Sequence, residues 1–110
     1  MSEYVEIGGL RWGQSFVRSA NVSWPFAKIL ISPERVHVTM KFWKIWDLVF
    51  NFERNELQAI RKVRGFFNVG AQLEHRNTEY PPFILFWTFR QKALLGEFRR
   101  MGYVVPDSEV

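Results

Sequence analysis

The chain has 110 residues, no cysteine and a net charge of +4, enough for one domain around a single core. Without cysteine there is no disulfide framework, thiolate metal site or cysteine nucleophile, and 47% apolar with 17% aromatic residues exclude a disordered chain. The mildly basic balance favours acidic partners such as phospholipid or nucleic acid.

Residues 1–13 form an N-terminal segment. Tyr4-Val5-Glu6-Ile7 predicts a short strand that Gly8-Gly9 should break. No helix follows Gly8, Gly9 and Gly13, so they are not a nucleotide-binding fingerprint. The start, Met1-Ser2-Glu3-Tyr4, has neither the basic lead nor the apolar run of a signal peptide. Gln14 to Ala20 predicts a strand and Asn21 to Pro25 a loop, with Trp24 biased to extended geometry by the proline after it. Phe26 to Ser32 predicts a further strand, Ala27, Ile29 and Ile31 alternating with Lys28 and Leu30. Ser32-Pro33-Glu34-Arg35 suits a tight turn with proline second. Val36, Val38, Met40 and Phe42 then alternate with Arg35, His37, Thr39 and Lys41. The polar side of that strand must meet water, which implies an antiparallel, half-exposed sheet.

Trp43-Lys44 predicts a turn. Leu48, Phe50 and Phe52 alternate with Asp47, Val49 and Asn51 in the next strand. Glu53 to Glu56 is a polar connector, and Leu57 to Val63 a less regular strand. Gly65 to Gly70 predicts a loop with Phe66 and Phe67 at its middle. Ala71, Leu73 and His75 alternate with Gln72, Glu74 and Arg76, and Asn77 to Pro82 is turn-rich. Two prolines precede the apolar strand Phe83-Ile84-Leu85-Phe86-Trp87, whose first residues cannot pair through Pro81-Pro82. Thr88 and Gln91 have capping-box spacing. Leu94, Leu95, Phe98 and Met101 then share one face of a helix of about 13 residues, too short to stand without docking on the strands. Arg90, Gln91, Lys92, Glu97, Arg99 and Arg100 fill its other face. Arg99 and Arg100 suit its last turn, and Gly102 suits the residue after its end. Pro81 to Phe89, the longest uncharged apolar run, is far too short to span a membrane.

About seven short strands with regular turn signals predict a mainly β barrel or sandwich capped by one C-terminal helix. The organisation expected is an N-terminal segment 1–13, a single domain 14–103 and a tail 104–110. The last strand is apolar on both sides, so its outer side needs cover from Met1 to Trp12 or from a second subunit.

The order of elements, with Ser23-Trp24-Pro25-Phe26-Ala27-Lys28-Ile29, Val36-His37-Val38, Glu74-His75 and Phe83-Ile84-Leu85-Phe86-Trp87 running into the helix, resembles the pleckstrin-homology-like (PH-like) superfamily, in particular small bacterial domains of the PH and GRAM type. The likeness covers roughly residues 14 to 103 and lies in apolar, positional motifs. It implies a non-catalytic adaptor that binds lipids or protein segments. Phosphoinositide-binding members cluster Lys and Arg on the first hairpin. Ala20 to Pro25 carries no cation, with only Arg18 and Lys28 flanking it.

No catalytic constellation is legible. His37 and His75 are not at metal-ligand spacing and read as structural. No serine sits in a nucleophile elbow, and Glu53 and Glu56 read as a solvated turn. No cofactor or metal is implied. In an up-and-down order, the Ala20–Pro25, Trp43–Ile45 and Gly65–Gly70 connections share one end. That end would collect Trp24, Trp43, Phe66 and Phe67, with Lys41, Lys44 and Arg64 around them and Trp46 nearby. Aromatics with a cationic fringe suit a membrane interface or a protein hot spot, and also suit plugging of the barrel end. Arg61, Lys62 and Arg64 could touch nucleic-acid phosphates, but no aromatic strand motif accompanies them. The expectation is a cytoplasmic binding module, peripheral at the membrane, with a protein or anionic lipid partner. A self-associating homodimer is the alternative, ahead of a nucleic-acid binder or small enzyme.

Overall fold

The computed structural model describes residues 3–64 and 69–106. Seven strands are followed by one helix: β1 Tyr4–Gly13, β2 Ser19–Ile31, β3 Arg35–Phe42, β4 Ile45–Glu53, β5 Leu57–Arg64, β6 Val69–His75, β7 Phe83–Trp87 and α1 Gln91–Arg100. The strands form a single antiparallel sheet in the order β4-β3-β2-β1-β7-β6-β5. The sheet is open between β4 and β5 but strongly coiled. Phe52 of β4 meets the ring of His75 on β6 at 4.8 Å, and Phe50 meets Tyr80 at 5.0 Å. The Tyr80 hydroxyl accepts from the Asn51 amide on the free edge of β4, and the Val104 carbonyl accepts from the Ile60 amide on the free edge of β5. Both outer edges thus find part of their backbone partners outside the sheet.

The core lies inside this coil. Ala27, Ile29 and Ile31 of β2, Val36, Val38 and Met40 of β3, and Phe50 and Phe52 of β4 point inward. Ile60, Leu73, Ile84 and Phe86 do so from the other half, and α1 fills the opening with Leu94, Leu95 and Phe98. Each of these side chains larger than alanine contributes about 1.5–3 kcal/mol of burial free energy when fully buried. The Ser32–Arg35 turn forms as its sequence predicts, with the Ser32 amide donating to the Arg35 carbonyl at 2.9 Å.

Three local expectations are corrected. β1 does not break at Gly8-Gly9 but runs through them as a central strand, paired with both β2 and β7. A Cβ on Gly8 would collide with the Trp87 carbonyl, and one on Gly9 with the Trp87 indole. The glycines admit a close neighbour rather than a turn.

Residues 14–18, not 20–25, connect β1 to β2. Asn21 to Pro25 lies inside β2, which bulges: Ala27 pairs with Gly8 and Val22 with Leu10, so Gly9 alone spans the interval holding Ser23 to Phe26.

The capping box at Thr88 is absent, because the helix begins only at Gln91. Thr88 donates instead to the buried Glu6 carboxylate and accepts from the Arg90 amide. Buried Gln91 donates both side-chain hydrogens to strand carbonyls, Val63 and Gly70, each at 2.8 Å. It leaves the polar face for the strands because those carbonyls can satisfy its whole NH₂ group.

The outer side of β7 finds cover within the chain, in part from the residues of β1 beside it. Leu85, fully buried, sits in register between Arg11 and Gln72. Phe16 folds back from the β1–β2 connection to meet Phe83 edge-on at 6.0 Å, with the Arg11 guanidinium 4.2 Å from its ring centre.

Candidate functional site

The β3–β4 hairpin closes with the pair Phe42–Ile45, leaving Trp43-Lys44 as a two-residue turn. Trp43 has φ 60, the only positive φ among the described non-glycine residues. Tight hairpin turns normally place glycine at such a position, because a side chain there crowds the backbone. Trp43 also buries almost nothing, being 87% exposed.

Its neighbours on the tip are exposed too. Phe42 has the inward parity of Val36, Val38 and Met40, yet it lies outside the core. The reason is register: β2 last pairs with β3 at Ala27–Met40, so Lys41 and Phe42 extend past their β2 neighbours. Ile45 and, further along, Leu48 are exposed on β4.

On the outer face Trp46 pairs in register with Lys41. The Lys28 ammonium lies 4.5 Å and that of Lys41 5.9 Å from the Trp46 ring centre, and Lys44 lies 6.0 Å from that of Trp43. The hairpin is thus an apolar tip, Phe42-Trp43-Ile45, within a collar of three lysines. Aromatic rings and cations at one level are the composition of a surface that meets lipid headgroups.

The other expected site residues are distributed. Trp24, on the bulged part of β2, packs edge-on against Phe89 at 5.8 Å. The two line a cavity of about 310 Å³ with Val5, Glu6, Ile7, Thr88 and Arg90. Phe89 in turn contacts Trp87, whose indole donates to Asn21. Trp43, Lys44 and Trp46 share the hairpin, whereas Arg64 ends β5, at the opposite end of the strand order from β4. Phe66 and Phe67 lie outside the described residues. Phe42, Ile45, Lys28 and Phe89 were missed by sequence reasoning. The proline in β2 was the available signal for Phe42, since Pro25 has no amide to continue a ladder.

The His75 ring accepts from the Asn77 amide at Nδ1 and meets the Pro81 carbonyl through Nε2 at 2.9 Å, pinning the β6–β7 connection. His37 lies opposite Asn51 across β3 and β4. Among the described residues no group of three His, Asp or Glu side chains is arranged to hold a metal ion, and no helix is long and apolar enough to cross a membrane.

The connector Glu53–Glu56 does more than the solvated turn its sequence implies. Glu53 and Glu56 close a capping box around a short 3-10 turn. Arg54 between them donates to the carbonyls of Pro33, Met101 and Gly102 and lies 4.7 Å from the Tyr103 ring centre. No family model, curated protein or solved structure matches the chain.

Proposed function

We propose that this chain is a non-catalytic binding module of PH-like, GRAM-related architecture that docks on an anionic membrane surface through the β3–β4 hairpin. The observation that carries it is Trp43, a large aromatic held at φ 60 on the tip with almost none of its surface buried. A left-handed non-glycine residue costs about 1–2 kcal/mol, and nothing in the core repays it here. Backbone strain of this kind gathers at ligand-contacting positions. Phe42 and Ile45 extend the apolar tip, and Lys28, Lys41 and Lys44 supply attraction to anionic headgroups. Seven antiparallel strands followed by one helix support the PH-like assignment.

Co-sedimentation with vesicles tests this reading. Phosphatidylcholine vesicles containing phosphatidylserine should retain the protein at low salt, and less at physiological salt. Pure phosphatidylcholine should not. With about 1 kcal/mol per lysine near the surface, Lys41→Gln with Lys44→Gln should weaken binding about thirtyfold. Trp43→Ala should weaken it as well. Absence of binding to anionic vesicles at low salt would sink the proposal.

A second reading has its own support. β4 is an end strand, and Ile45 and Leu48 are exposed along it. Such an edge can pair with a protein strand or with a second copy of the chain. A concentration-dependent mass in sedimentation equilibrium, abolished by Leu48→Lys, would favour that reading.

A further inference from the structure

β1 has strands on both sides along only part of its length. It pairs with β2 from Tyr4 onward, but with β7 only from Gly9 to Gly13. β7 ends at Trp87, and the chain leaves the sheet through Thr88, Phe89 and Arg90 to enter α1. A wedge opens where the two segments part, with Val5, Glu6 and Ile7 on one side and residues 88–90 on the other. Trp24 joins it from the bulged part of β2, and together these residues line the cavity of about 310 Å³. That volume lies at the small end of the range for small-molecule sites.

Glu6 gives the wedge its chemistry. Tyr4, Glu6, Gly8 and Leu10 alternate onto the core-facing side of β1, where Leu10 is fully buried. Glu6 is itself only 6% exposed. Its Oε1 accepts from the Tyr4 hydroxyl at 2.5 Å and its Oε2 from the Thr88 hydroxyl at 3.1 Å. A carboxylate has about four acceptor positions, and among the described residues these two hydroxyls are its donors. Both are neutral. Among the described residues no cation lies within ion-pair distance of Glu6. Arg90 lines the same cavity but is exposed and forms no ion pair with it. Buried charges are ordinarily paired, so this carboxylate has hydrogen bonds but lacks a counter-charge.

We infer that the wedge between β1 and the β7–α1 connection binds a small soluble amine, a primary ammonium group on a short apolar chain. The ammonium supplies the counter-charge and donates to the open acceptor positions of Glu6 as charge-assisted hydrogen bonds. Trp24 and Phe89, edge-on to each other at 5.8 Å, present aromatic surface that attracts a cation and covers its carbon chain. Phe89 keeps most of its ring exposed, so that surface is free to be covered. Val5 and Ile7 complete an apolar wall. An anion is repelled by the buried carboxylate, and a quaternary ammonium has no N–H for its oxygens. The site is distinct from the β3–β4 hairpin and does not rest on the membrane reading.

Nitrogen–proton correlation NMR of the full chain tests the site, with the Trp24 indole signal identified by its loss in Trp24→Phe. Titration with n-butylammonium chloride should shift that signal saturably, beyond the effect of sodium chloride at equal ionic strength. n-Pentanol, of similar shape without the charge, should shift it far less. Glu6→Gln keeps the side-chain volume and should weaken amine binding at least about tenfold. Phe89→Ala, at an exposed position, should weaken it about threefold, and decides the question if Glu6→Gln does not fold. Arg90→Gln removes a like charge and should not weaken it. Lys41→Gln with Lys44→Gln should leave it unchanged. Absence of a saturable shift with n-butylammonium would overturn the inference. An equal shift with n-pentanol would do so too, as would undiminished binding in both Glu6→Gln and Phe89→Ala. Anionic vesicle binding should be the same in Phe89→Ala as in wild type, so failure of the amine site is told apart from failure of the membrane reading.

Discussion

The indole of Trp87 lies directly over Gly9, in the space where any other residue would place its Cβ. Gly9 pairs with Trp87 in register, and the same ring donates to Asn21 on β2. This contact locks β1, β2 and β7 together at the bulge. Gly9→Ala should displace the ring and destabilise the fold by about 1–3 kcal/mol, as overpacking does. Urea unfolding measures the loss, and tryptophan fluorescence reports the displaced ring. Wild-type stability in this variant would mean that the indole moves aside freely.

Arg54 ties its own connector to two other chain segments by its guanidinium alone. It reaches the β2–β3 turn at Pro33, the end of α1 at Met101 and the residue after it at Gly102. Hydrogen bonds to a charged group are worth more than neutral ones, but this side chain is partly solvated. Arg54→Ala should therefore cost about 2 kcal/mol. Arg54→Lys should recover less than half, since an ammonium cannot span the carbonyls as a planar fork does. Urea midpoints decide this, and full rescue by lysine would show that charge alone matters.

Burial, and then the hydrogen bond it donates to the Glu6 carboxylate, push the Tyr4 hydroxyl up to about 12 from its ordinary 10.0. Burial also raises Tyr103, which donates to the Ser32 carbonyl at 2.6 Å, while the nearby Arg54 acts in the opposite sense. Below pH 10 the folded and unfolded chains both keep these protons, and the contribution is whole. Between pH 10 and about 12 the unfolded chain gives up the Tyr4 proton first, so stability falls as pH rises. Tyr4→Phe should flatten this alkaline limb in part, leaving the share of Tyr103. Chemical denaturation at stepped pH measures it, and an unchanged slope would remove Tyr4 from the account.

Trp43 separates stability from binding. Trp43→Gly places the residue that φ 60 favours at the turn. It should hold or raise stability by about 1 kcal/mol, because the left-handed penalty disappears and no buried contact is lost. The same variant should lose anionic vesicle affinity. A clear drop in the urea midpoint would instead make Trp43 a packing residue.

Much of the local structure was legible in the sequence. Alternation assigned the faces of Val36 to Met40 and of Ile84 and Phe86, and the proline turn at Ser32–Arg35 and the apolar stripe Leu94, Leu95 and Phe98 were readable as well. These features depend on neighbours within a few positions, and a period of two or 3.6 is written directly in the order of side chains. The candidate hairpin was legible as aromatics beside lysines, but not the exposure of Phe42, which follows from where β2 stops pairing with β3.

Register between distant strands is a property of the assembled sheet, and no local pattern carries it. The tertiary structure alone made Gly8-Gly9 the middle of a strand, because there β7 crosses close enough to demand missing side chains. It alone took Gln91 from the polar face of the helix to the carbonyls of Val63 and Gly70. It also turned Lys62 and Arg64 toward α1, since parity states which side of a strand a cation takes but not which element waits on that side. By itself the sequence determined most of the elements and many of their faces, through contacts made along the chain. Which faces meet was decided by packing between residues far apart in it.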